Sequence, residues 1–531
     1  MNMEKNADRK MTAQRALILQ GGGALGAYEA GVLKSWCREL IKKDKKTNRD
    51  GPLFDIVAGA SMGAVNASLL VHRAIIYRDE KNIAHLDAWK KSVDDLCHFY
   101  EEISSPDMSE PMWWVDNVLL NNPMFVGFWN TWEFIRNQWE KNYDHFFDLT
   151  NNEENDHDYE KLKNKIEFEE KIIKSPFRSL YFYLFPDKWG IPATPDIARR
   201  FYSYWNTLQF GSTRVISPAI IQPDMKFLDP LQSTHVFARF DNDPLAKTMK
   251  EYWNYEKFPG IKTKDGEPRL LVVSVDIEDC TTATTFDSYT DFTEYGENLK
   301  YKIEQPEGIT IDHIKASMST YLRYQYPWFS AKINENGNTK ETIRHFWDGA
   351  YIANTPTNEV IAKHRQYWMK QGKEPPDLEL YIINLYPSVE PGIPSSPDTI
   401  QDRQIDISFH DRTKSGIRTA RMRTDYIDLV GELVELAKDK GLEKDIQKIL
   451  NKKARSKNPN GTDKLYNDLL DGRFRILKVI YAKREEKEGN AIYGKAFDFS
   501  HKTIQELLAH GEKSGEKSFK ESQEHSAGNL V

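Results

Sequence analysis

Cysteine is scarce in this 531-residue chain: Cys37, Cys97 and Cys280 are the whole complement. An odd number of them, widely spaced and without a C-x-x-C pair, disfavours both a disulfide framework and a structural zinc site, and fits a reducing, cytoplasmic location. No uninterrupted apolar run approaches the length that crosses a bilayer. The stretch Met1–Gln14 also lacks the apolar core of a secretory signal, so any membrane contact is expected to be peripheral. A long basic block is missing too, and a net charge of -7 argues against a phosphate backbone as ligand, which removes nucleic acid as a partner. No cluster of residues has metal-ligand spacing, and no metal or cofactor is expected.

What is present belongs to a globular protein, since 39% of residues are hydrophobic and 29% charged. Two stretches share one pattern. Arg15–Gln20 is a short apolar run that enters Gly21-Gly22-Gly23-Ala24-Leu25-Gly26, followed by a helix with Tyr28, Val32, Trp36 and Leu40 on one face. Phe54–Ala60 is another such run, breaking at Gly59-Ala60-Ser61-Met62-Gly63 into a second helix through about Tyr77. Successive strand-to-helix units predict a parallel α/β sheet. The sheet resumes at Arg269–Asp276, a run apolar enough to be buried on both faces, and further strands are expected at Arg344–Trp347 and Leu378–Leu385. Between them, Ile311–Thr320 reads as a helix.

Around this frame, residues 1–12 form a polar leader and 13–400 the expected catalytic domain. Residues 81–243 read as a helical insertion or cap, rich in aromatics such as Trp113 and Trp114, with a polar loop over Asn151–Glu170. Charged amphipathic helices are expected over 401–510 and a disordered tail over 511–531.

Chemistry concentrates at the two small-residue turns. In G-x-S-x-G, Gly59 and Gly63 leave room for a sharp corner that exposes Ser61 as a nucleophile. The glycine loop, opening a helix, presents backbone N–H groups and a positive dipole end to an anion. It also fits the dinucleotide fingerprint G-x-G-x-x-G, with Glu39 in place for a ribose contact. A base for Ser61 is offered by Asp348, which ends a strand and is followed by the small Gly349-Ala350. The other arrangement of such a nucleophile, a Ser-His-Asp triad, would draw on His364, His410, His501 or His510; His345 reads as a strand residue. A non-catalytic lipid-binding protein of the same fold is a further reading.

Taken in order, Gly21–Gly26, Gly59–Gly63 and Asp348-Gly349-Ala350 resemble the signatures of the patatin-like phospholipase family. Asp243-Pro244-Leu245-Ala246-Lys247-Thr248 and Ile314-Lys315-Ala316-Ser317 are secondary likenesses. The resemblance implies a three-layer α/β/α fold with a mainly parallel central sheet, and a lipid acyl hydrolase. It implies Ser61 as nucleophile, Asp348 as general base and the amides of Gly21, Gly22 and Gly23 as oxyanion hole, with Gly26, Gly59, Gly63 and Gly349 supporting the turns. The implied partner is a lipid or other acyl ester. Leu25 stands where many members carry Arg or Lys, which leaves neutral esters open beside phospholipids.

Overall fold

Apolar runs that stop abruptly at small residues set the frame. The computed structural model describes residues 13–49, 51–105, 240–253, 259–295, 301–319, 326–335, 338–389, 393–394, 397–457, 463–485 and 494–528, with isolated positions from 200 to 218. The chain divides into two units, Met1–Ser105 with Asn206–Val531, and Pro106–Trp205; every element named here lies in the first. The leader, the aromatic stretch with Trp113 and Trp114, and the polar loop over Asn151–Glu170 lie outside the described residues.

Strands β1 (Gln14–Leu19), β2 (Ile56–Ala60) and β3 (Arg269–Asp276) pair in parallel, and β9 (Leu378–Asn384) joins the far side of β1 in parallel. β10 (Ile476–Lys483) extends the sheet beyond β9, again in parallel. On the other side the direction reverses: β8 (Asn338–Asp348) runs antiparallel to β3, followed by β7 (Trp328–Glu335), β6 (Tyr301–Glu304) and β5 (Phe292–Tyr295). β4 (Thr284–Asp287) also pairs with β3. The sheet is thus mixed, with its central strands parallel.

The sheet is covered on both faces, as the continuous apolar runs of the parallel strands require. Alternate side chains divide between two cores. Leu17, Leu19, Val57, Leu270, Val272 and Ile383 face one cluster, shared with α1 (Gly26–Thr47), α2 (Met62–Asp79) and α3 (His85–Ile103). Ala16, Ile18, Ile56, Ala58, Leu271 and Ile382 face the other, shared with α7 (Thr357–Lys370) and α9 (Lys414–Asp439). This is a three-layer α/β/α arrangement. The expected face of α1, Tyr28, Val32, Trp36 and Leu40, is fully buried.

Several elements depart from the sequence reading. α3 begins within the stretch expected as a cap, yet its Trp89, Val93, Leu96 and Phe99 belong to the same core as α1 and α2. The region expected to be helical over 401–510 supplies β10, whose Ile476, Ile480 and Ala482 are buried. The residues from Gly511, expected to be disordered, instead continue α11 (His501–Gly528) along α1. Their Lys, Glu and Ser composition hid a narrow contact face, in which Ser518 accepts a hydrogen bond from Trp36 Nε1 at 3.0 Å. Among the described residues no helix is long and apolar enough to cross a membrane.

Candidate active site

Ser61 occupies the corner between β2 and α2 with φ 53° and ψ -128°. A serine holds positive φ only where its surroundings impose it. Here the small neighbours make the corner possible: a Cβ on Gly59 would lie 2.1 Å from the Gly63 carbonyl oxygen, and one on Gly63 2.6 Å from that of Gln20. The corner is also tied from outside. The Ser61 N–H donates to Ser317 Oγ at 3.0 Å, and the Ser317 hydroxyl donates to the Val273 carbonyl at 2.5 Å. Ser317 ends α5 (Ile311–Ser317), so this helix fastens the corner to β3.

Asp348 ends β8, and its N–H donates to the Ser319 carbonyl at 2.7 Å. Its carboxylate accepts from the N–H of Ala350 at 2.8 Å, and the Ser61 side chain lies near enough to act on its ionisation. The side chain is 7% exposed. Burial pushes its pKa up to about 7, while Ser61 and the bond from Ala350 pull the other way. Gly349 has no room for a side chain, since a Cβ there would sit 2.2 Å from the Val273 carbonyl oxygen. Two residues far apart in sequence are thus brought side by side.

The glycine loop lies directly against this pair, with a Cβ on Gly21 falling 2.6 Å from Ser61 Cβ. The Gly21 N–H is already engaged, donating to Asn354 Oδ1 at 2.9 Å. The amides of Gly22 and Gly23 have no hydrogen-bond partner among the described residues. Gly26 packs where a Cβ would meet Tyr100 Oη at 2.1 Å. Behind the loop, buried Glu29 accepts from the Gln20 N–H at 2.7 Å and from Asn66 Nδ2 at 2.8 Å. Burial raises the Glu29 pKa well above the carboxylate range. Leu25 is buried in the α1 core, so its side chain faces the interior.

Sequence reasoning missed the outer supports of the loop. Asn354 holds Gly21 on one side and donates through Nδ2 to the Phe409 carbonyl at 2.8 Å on the other. Phe409 ends α8 (Pro397–Phe409). Gly23, with φ 55°, touches a turn near the C-terminus, where a Cβ would lie 2.1 Å from the Ala496 carbonyl oxygen. The residue before it, Lys495, is fully buried and reaches Asp406 at 2.7 Å and Asp402 at 3.1 Å, both on α8. One helix therefore grips both ends of the loop. The only sequence signals were polar residues inside apolar surroundings. The two secondary likenesses also meet, through an ion pair between Lys315 and Asp243 at the start of α4 (Asp243–Trp253).

The histidines of the alternative triad make their described contacts elsewhere. His364 is buried with Nε2 2.8 Å from the Pro376 carbonyl, His410 Nδ1 faces the Ile407 carbonyl, and His501 Nδ1 faces Ser104 Oγ. His510 packs on the Tyr28 ring, and the backbone carbonyl of His345 accepts from the Ile277 N–H within the sheet. Glu39 accepts from Lys42 on the exposed side of α1. Among the described residues no group of acids, histidines and cysteines could hold a metal ion.

A serine held at positive φ on a strand-to-helix corner, with a buried carboxyl near it and a glycine loop packed against it, is the arrangement that G-x-S-x-G proteins of the α/β class present. The chain belongs to the patatin-like phospholipase family, a family of lipid acyl hydrolases, whose sequence model matches residues 17–361. No curated protein sequence matches the chain. Among solved structures, the crystal structure of VipD from Legionella pneumophila is similar at 11% identity and a TM-score of 0.26, over 96% of this chain and 67% of that one. A likeness that loose carries no argument.

Proposed function

We propose that the protein hydrolyses acyl esters of lipids through Ser61 and Asp348 by way of an acyl-enzyme. The observation that carries the reading is a serine held at positive φ on the strand-to-helix corner, close enough to the buried Asp348 carboxyl to act on its ionisation, with the glycine loop packed against it. Ser61 Oγ attacks the acyl carbonyl carbon as its proton passes to Asp348. The carbonyl oxygen, now an oxyanion, is received by the Gly22 and Gly23 amides, which have no other hydrogen-bond partner among the described residues. Collapse of this intermediate breaks the ester bond, and the departing alcohol takes the proton back from Asp348. Water then attacks the acyl-serine, losing a proton to Asp348, and the carboxylic acid leaves as Ser61 is restored.

A carboxylate of ordinary pKa, about 3.9, is a feeble base for an alcohol. Burial brings Asp348 to about 7, near the pH at which a general base is both ionised and basic. Gly21 supports the loop rather than the oxyanion, because Asn354 occupies its N–H. With Leu25 buried, the loop presents no cation to a phosphate headgroup, and neutral esters and phospholipids are both reasonable substrates.

The test uses the full chain on short- and long-chain acyl esters and on phospholipid. Ser61→Ala and Asp348→Asn are each expected to lower kcat at least about a thousandfold with the fold intact. A serine-bound acyl group should be seen by mass spectrometry in the wild type and be missing from Ser61→Ala. Equal activity in the wild type and both variants would sink the reading.

A further inference from the structure

Helix α9 is amphipathic twice over. Its inner face places Ile417, Ala420, Thr424 and Ile427 in or against the second core, and all four are buried. On the opposite face stand Met422, Tyr426, Leu429, Leu433 and Leu436, each 48% to 60% exposed. Their spacing of four, three, four and three residues is the a/d repeat of helices that pack side by side. Scattered exposed apolar residues need no explanation, but a continuous stripe does. The outer half of the helix sharpens the point, because no residue from Asp428 to Asp439 is buried. Val430, Val434 and Ala437 are only half-buried on its inner side, and a helical stretch of that length gains from a second packed face.

Charge along α9 says what would cover the stripe. Residues 414–424 carry Lys414, Arg418, Arg421 and Arg423 and no acid, whereas residues 425–439 carry Asp425, Asp428, Glu432, Glu435 and Asp439 against the single Lys438. An anionic lipid surface would be repelled by the acids beside the apolar stripe. A second α9 running antiparallel would set each basic half over the other's acidic half while the two stripes interlock about Leu429. We propose that α9 is a self-association surface, pairing two copies of this chain in an antiparallel helical contact. Met422 of each copy then lies towards Leu436 of the other, and Tyr426 towards Leu433. Two of the outward charges already have partners in the chain, Asp428 with Arg473 and Glu435 with Lys438. Arg418, Arg421, Glu432 and Asp439 are the exposed charges that would meet across the contact. None of these residues belongs to the Ser61 site, so the proposal stands apart from the hydrolase reading.

Sedimentation equilibrium of the full chain over a wide concentration range tests it. The wild type should fit a monomer–dimer equilibrium, and Leu429→Asp or Leu433→Asp should raise the dissociation constant about a hundredfold, as loss of a central apolar contact does. Surface charge changes keep the test independent of folding. Arg418→Glu with Arg421→Glu should weaken the dimer, and adding Glu432→Lys with Asp439→Lys should restore it. A wild type that stays monomeric throughout would overturn the proposal. So would self-association indifferent to all these changes, or a monomer whose binding to anionic vesicles is lost in Leu429→Asp.

Discussion

On the proposed mechanism Asp348 holds opposed demands in one side chain: as the base it has to be ionised, and its burial resists ionisation up to about pH 7. Two outcomes follow. Activity requires the carboxylate, so kcat/KM measured against pH should climb about tenfold per pH unit below 7 and level off above it. Stability runs the other way. The native carboxyl binds its proton more tightly than the unfolded one, so the native state carries more protons between about pH 4 and 7, and stability falls across that window as pH rises. The loss is at most about 4 kcal/mol and is complete above pH 7. Asp348→Asn cannot ionise, and its melting temperature should exceed that of the wild type by a margin that grows from pH 4 to 7 and then stays constant. A margin independent of pH would show that Asp348 is not buried as described. Ser61 and Asp348 were legible because each lies inside a short motif whose neighbours must be small. Ser317 and Asn354 were not, because what they do depends on atoms brought close only by folding: Ser317 receives the Ser61 N–H and Asn354 receives that of Gly21.

At the scale of elements, the parallel strands were readable because burial on both faces demands continuous apolar runs, as in Arg269–Asp276. β6 is half polar, and Tyr301-Lys302-Ile303-Glu304 gives little more than an alternation four residues long; β10 is more apolar but is broken by Lys478 and has only three buried residues. α8 was harder still, since its role comes from its two ends rather than from its own pattern. It holds the glycine loop through the Phe409 carbonyl at Asn354 and through Asp402 and Asp406 at Lys495. Removing the buried ammonium would take the cation they share from two buried acids. Lys495→Met is therefore expected to destabilise the protein by about 3–5 kcal/mol, seen as a lower urea midpoint. Asn354→Ala leaves that cluster alone and frees the Gly21 amide and the Phe409 carbonyl. Its expected effect is on kcat, lower by about tenfold to a hundredfold with KM little changed, because a loosened loop receives the oxyanion less well than it binds the ester. An equal loss through KM would instead place Asn354 in substrate binding.

For the whole molecule, the C-terminal helix is part of the α1 layer of the sheet rather than an appendage to it. α11 crosses α1 with the two backbones almost touching: a Cβ on Gly31 would lie 2.1 Å from the Leu508 carbonyl oxygen, and one on Gly511 2.1 Å from that of Tyr28. Such closeness lets Ile504, Leu507 and Phe519 complete the core that Tyr28, Val32 and Trp36 begin. The flanking ion pairs, Arg38 with Glu512 and Glu516, are partly exposed and worth little by themselves. The contact should therefore respond to volume and hardly at all to charge. Gly511→Val would drive a branched side chain into the Tyr28 carbonyl and separate the helices along their length, at a cost of several kcal/mol, whereas Arg38→Ala should cost less than about 1 kcal/mol. Urea unfolding of both variants checks the contrast. If α11 were held by its charges, Arg38→Ala would be the more damaging change, and Gly511→Val would leave the midpoint where it was.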